Sequence, residues 1–67
     1  MNSSLFRAKM VLEGYTQKSL AKEAGMAENT LGGKINNKVS CTTDDVKKFC
    51  RILHISDPAD KCAIFLD

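Results

Sequence analysis

Between Thr16 and Lys38 the chain reads TQKSLAKEAGMAENTLGGKINNK, two short runs of helical spacing hinged on one glycine. No other stretch restricts the fold as much. Thr16 can start a helix, because its hydroxyl accepts a backbone N–H that has no partner inside the helix. Leu20, Ala21 and Ala24 then share one face, while Gln17, Lys18 and Lys22 lie outside it. Gly25 can adopt the left-handed conformation that ends a helix sharply. A further helix begins near Ala27 and ends near Asn36, with Leu31 and Ile35 pointing inward and Met26 packing beneath the turn. Asn36-Asn37 is a suitable exit, since Asn tolerates positive φ better than most residues.

The flanking sequence adds three more helices and no segment that alternates like a strand. The first runs from about Ser3 to Glu13, with Leu5, Ala8 and Leu12 forming its stripe, Met10 and Val11 widening it, and Gly14 as the stop. Thr42 or Thr43 caps the fourth, whose first turn holds Asp44 and Asp45 and whose apolar stripe is Val46, Phe49, Cys50 and Leu53. His54 ends it, favourably when protonated. Asp57-Pro58, an N-cap followed by proline, opens the last helix, which runs to Phe65 or Leu66. The expectation is a compact, all-α, five-helix fold in one domain spanning residues 1–67.

Composition narrows the function by exclusion. A chain of 67 residues buries only about 60% of its unfolded surface and has little room for a closed active-site pocket. The single histidine belongs to no nucleophile–acid pattern, and no glycine-rich phosphate loop follows a strand. Neither an enzyme nor a small-molecule substrate is expected. No apolar run reaches the ~20 residues that cross a bilayer. The N-terminus lacks the basic patch and apolar stretch of a signal peptide, which points to the cytoplasm and away from the membrane. Cys41, Cys50 and Cys62 are an odd set without tight spacing, against a disulfide framework. Cys50 and His54 lie four apart and would make a four-ligand set with Cys41 and Cys62, but no C-x-x-C knuckle exists. Small buried thiols are expected, with no metal and no cofactor. The formal net charge of +2 is too small to imply a polyanion partner by itself. Lysines gather mid-chain, however, and acids toward the end.

The two runs around Gly25 have the outline of a helix-turn-helix over about residues 16–36. Small Ala21 lets the helices cross closely, Gly25 makes the turn, and Leu20, Leu31 and Ile35 set the angle. The outer face of the second helix is then free to enter a major groove, which is about one helix wide. The segment Thr16 to Met26 resembles the "T-Q-x-x-L-A-x-x-x-G-h" opening of Cro/repressor-type (XRE-like) helix-turn-helix domains, and Asn36-Asn37-Lys38 is similar to their "N-G-K" exit. The five-helix order resembles that lambda-repressor-like fold over nearly all the chain. The segment NTLGGKINNK further resembles small phage-encoded regulators of Gram-positive hosts.

The resemblance implies roles residue by residue. Gln17 matches a glutamine that braces against a phosphate, and Lys18 lies beside it on the same first turn. Glu28 and Asn29 match the first base-reading positions; Asn29 would pair with adenine and Glu28 would accept from cytosine N4. Gly32 and Gly33 match later outward positions that often carry contacting side chains. Asn36 and Lys38 match the exit loop that touches phosphate, and Lys34 with Lys38 would make binding salt-dependent. This chain also departs from the pattern. Ala27 cannot cap the third helix, no arginine lies between Arg7 and Arg51, and two expected side chains are absent at the glycine pair. The pair has three open explanations: close approach to DNA or another backbone, a relaxed surface for a protein partner, or no role at all.

The expected function is transcriptional control in a phage genetic switch, by binding double-stranded operator DNA as a dimer or with a partner. The alternative is an interaction module that binds and modulates a partner repressor, as antirepressor or co-repressor, with weak DNA binding of its own. Its contact surface would include Glu28, Gly32, Gly33 and Phe65. The apolar run Ala63 to Leu66 would either close the core or form a homodimer contact.

Overall fold

The computed structural model describes residues 1–66. They form α1 (Ser3–Leu12), α2 (Gln17–Ala24), α3 (Glu28–Ile35), α4 (Thr43–Ile52) and α5 (Pro58–Phe65), with no strand among the described residues. Each start but one has a side chain on an otherwise unpaired N–H. Asn2 accepts from the Leu5 amide, and Asp57 accepts from the Ala59 amide ahead of Pro58. Thr16 and Thr42 both head capping boxes, with Ser19 and Asp45 as the third residues. Only α3 starts bare: Ala27 makes no side-chain cap. The turns also follow the sequence. Gly25 sits at φ 72°, and Asn37 and His54 take positive φ (61° and 57°) after α3 and α4.

The core is built from one to three apolar positions per helix. Phe6, Leu20, Leu31, Ile35, Phe49 and Leu53 are fully buried. Phe6 meets Phe49 edge-on at 5.2 Å between ring centres and Phe65 at 6.2 Å. Such aromatic pairs hold α1, α4 and α5 together with a favourable edge-to-face geometry.

Two expectations are corrected here. The inward face of α1 is Phe6 and Met10, not Leu5, Ala8 and Leu12; Leu12 is 74% exposed and Leu5 43%. Both sets recur at helical steps, so periodicity could not choose between them. The aromatic ring decides, because burying Phe6 removes the most apolar surface from water. The cysteines are not uniformly buried either: Cys41 and Cys50 are half-buried and Cys62 is exposed. Cys62 lies two residues from buried Ile64, about 200° around a helix of 3.6 residues per turn. Burial pushes the Cys41 and Cys50 thiols up from their ordinary value.

Residues on either side of α3 fix it in place. The Ser3 hydroxyl donates to the Ile35 carbonyl, and Asn37 exchanges bonds with Met1, accepting from its amine and donating to its carbonyl. The start of α1 therefore closes the end of α3. At the opposite end of α1, His54 Nδ1 lies 2.7 Å from the Glu13 carboxylate and holds it below its ordinary value.

Candidate nucleic-acid interface

α2 and α3 pack on each other through Leu20, Ala21 and Ala24 on one side and Leu31 and Ile35 on the other, all buried. This packing turns the opposite side of α3 to solvent. Glu28, Asn29 and Thr30 are all exposed and helical, as a reading surface requires. Thr30 was not singled out from the sequence, although it lies one residue after Asn29 and one turn before Gly33. It can donate to or accept from a base edge.

Gln17 leans onto α3. It is half-buried, and its Nε2 donates to the Glu28 carbonyl at 3.3 Å. This bond braces the uncapped first turn of α3 from outside, and the Glu28 carboxylate adds a favourable charge at that helix start. Lys18, beside Gln17, is exposed, as is Lys38 in the exit loop. Asn36 is exposed too, and its Oδ1 accepts from Arg7 Nη2 at 3.2 Å. The fold thus brings a guanidinium from α1 to the α3 exit. No sequence signal marked Arg7, because the contact spans the second half of α1, all of α2 and α3, and two turns.

The glycine pair and Lys34 require correction. Gly32 is buried, and a Cβ there would stand 2.7 Å from Gln17 Nε2. Gly33 is half-buried, and a Cβ there would stand 3.3 Å from Val39 Cγ2. The chain after α3 folds back over Gly33, whose carbonyl accepts from the Lys38 and Val39 amides. Neither glycine is a bare outward patch. The close approach they permit is by neighbours within the same chain: Gln17 over the first and Val39 over the second. Lys34 is likewise turned inward, 8% exposed, with Nζ 2.5 Å from Asp45 Oδ2. Its position next to Ile35 puts it on the edge of the packed face, where Asp45 of α4 supplies the counter-charge. The same carboxylate oxygen accepts from the Thr42 amide at 3.0 Å. These two donors hold the Asp45 carboxyl below its ordinary value, Lys34 being the larger cause. Phe65 is also less available than expected, being half-buried against Phe6.

The fold has five helices, a glycine-centred bend after α2 and an exposed polar face on α3. A model of the Cro/C1-type HTH DNA-binding domain matches residues 6–61. The chain belongs to that family. Membership in the Cro/C1-type family carries DNA binding for transcriptional regulation in general, and the family is non-catalytic. No curated protein and no solved structure matches the chain. In this Cro/C1-type domain the matched region takes in all of α2 to α4, so the family likeness covers α3 together with Gln17 and Asp45 that brace it, while Met1 and Ser3 at its exit lie outside the match. No helix among the described residues is long and apolar enough to cross a membrane.

Proposed function

We propose that this Cro/C1-type domain represses or activates transcription by placing the first turns of α3 in the major groove of operator DNA. The observation that carries it is the joint exposure of Glu28, Asn29 and Thr30 on a helix whose other side is locked into the core. Asn29 reads adenine by a bidentate pair, and Glu28 accepts from cytosine N4. Gln17, Lys18, Asn36 and Lys38 flank this face and supply the phosphate contacts. Gly32, Gly33 and Lys34 act from within, by setting the position of α3. The likeness of Lys34-Ile35-Asn36 and its neighbours to small phage regulators supports a place in a phage genetic switch. Two copies acting on one operator suit a domain whose longest extent is 28 Å, since half-sites lie about 34 Å apart.

A mobility-shift or anisotropy titration with duplexes tiled across the DNA flanking its own gene tests this at two salt concentrations. A shift at low salt that weakens steeply with added salt and prefers one duplex is the expected result. Absence of any shift at low salt contradicts it.

One observation favours the second reading, a module that binds and modulates a partner repressor. The only cation of α3, Lys34, is consumed by Asp45, so its outer face offers no positive charge of its own. Co-purification with a neighbouring repressor, lost on Glu28→Arg while DNA shifts are absent throughout, would select this reading over the first.

A further inference from the structure

The chain leaving α3, the start of α4 and the end of α5 enclose an open groove of about 520 Å³ that the reading of bases does not use. Small-ligand sites occupy roughly 300–1,000 Å³. Val39, Val46, Phe65 and Leu66 supply the apolar part of the lining. Val39 is 49% exposed and Leu66 78%, so two of the large apolar side chains that the fold leaves in water meet at this one place.

The polar part of the lining identifies the occupant. Both charged side chains in it are cations, Lys34 and Lys61, and no carboxylate among the described residues lines the groove. Lys34 is nearly buried, and its ammonium carries three N–H donors, of which Asp45 Oδ2 takes one. Among the described residues no second acceptor reaches it, and donors held this far from water are costly to leave unpaired. Lys61 has no ion-pair partner among the described residues. The hydroxyls of Ser40 and Thr43 add two more donors to the lining. Such a surface is complementary to a molecule with one negative end and one apolar end. A bare inorganic anion would leave the apolar wall in water, and a neutral hydrocarbon would leave the ammonium donors unanswered.

We propose that this groove binds a small amphipathic carboxylate, with its hydrocarbon chain on Val46, Phe65 and Leu66 and its carboxylate on Lys61 and the spare donors of Lys34. The groove also touches Val39, whose amide bonds the Gly33 carbonyl and whose side chain lies over Gly33. The ligand therefore bears on the exit of α3, beside Lys38, and brings a negative charge to the place where phosphate is to be held. That coupling rests on the DNA reading above; the binding itself does not.

Octanoate is the probe, with octanol as its neutral counterpart and inorganic phosphate as the bare anion. Each is titrated into the full chain and followed through amide NMR spectra, with circular dichroism as the check on folding of the variants. The expected result is saturable octanoate binding that moves the amides of residues 39–43, Val46 and Lys61, about fivefold or more tighter than octanol or phosphate. Lys61→Gln should weaken it by about three- to tenfold. Val46→Glu should weaken it by about tenfold or more, since it sets a second carboxylate in the groove. Saturating octanoate should loosen the preferred duplex by about twofold or more. Octanol that binds as tightly, shifts centred on another part of the fold, or a Kd indifferent to both substitutions overturns the inference. Octanoate that binds here and leaves duplex affinity unchanged overturns the coupling. A chain that takes octanoate in this way and shifts no DNA would leave the groove assigned and remove the DNA reading alone.

Discussion

Asp45 performs two tasks with one oxygen, capping α4 through the Thr42 amide and neutralising Lys34 of α3. Removing it strands a buried ammonium, so Asp45→Asn should cost on the order of 3 kcal/mol in denaturant unfolding. Thr42→Ala, which removes only a cap bond, should cost about 1 kcal/mol. The pH dependence has a definite sign. The folded Asp45 titrates below its ordinary value of 3.8, so its contribution is fully present above that pH and is lost as the pH falls through the lower, folded value. The wild-type chain should lose stability below pH 3.8 more steeply than Asp45→Asn, followed by thermal melts across an acid series. The glycines should respond differently from each other. Gly33→Ala presses only on half-exposed Val39, which can yield, and should stabilise by about 0.5–1 kcal/mol through helix propensity. Gly32→Ala should stay within about 1 kcal/mol of wild type, because helix propensity gained is offset by the lost Gln17 bond. It should nevertheless weaken DNA binding, by freeing the first turn of α3 from Gln17. At this scale the exposed half of the candidate site was legible from the sequence. Glu28, Asn29, Lys18 and Lys38 are where the motif puts them. Lys34, Gly32 and Arg7 were not legible, since each owes its role to a residue more than ten positions away.

Among the elements, α3 is the least self-sufficient. It has eight residues, two glycines and no N-cap, and is held by Gln17 at its start, Asp45 on its flank and Ser3 at its end. Ala27→Ser should therefore stabilise the protein by about 1 kcal/mol in chemical denaturation, by giving α3 the cap its neighbours have. An unchanged midpoint would mean that the Ala27 backbone cannot present a hydroxyl to the open amides. The helices themselves were legible because their ends carry local chemistry: Thr16 and Thr42 at starts, Gly25 and Asn37 at stops, and Pro58 behind Asp57. The facing of α1 was not, since two apolar stripes compete on one helix and only tertiary packing ranks them. The stripe that lost the interior competition, Leu5, Ala8 and Leu12, lies exposed on the surface.

For the molecule as a whole, the α1–α2–α4 scaffold holds one polar helix face at a fixed angle. The central claim is that Asn29 on that surface reads a base while Lys38 contacts the phosphate backbone. Salt-dependent anisotropy titrations of the wild type, Asn29→Ala and Lys38→Ala on the preferred duplex and on a scrambled one separate these roles. Asn29→Ala should cost about 1–3 kcal/mol on the preferred duplex and little on the scrambled one, with the salt slope unchanged; Lys38→Ala should weaken both and reduce the slope by about one. Equal binding of both duplexes by wild type and Asn29→Ala would contradict the account.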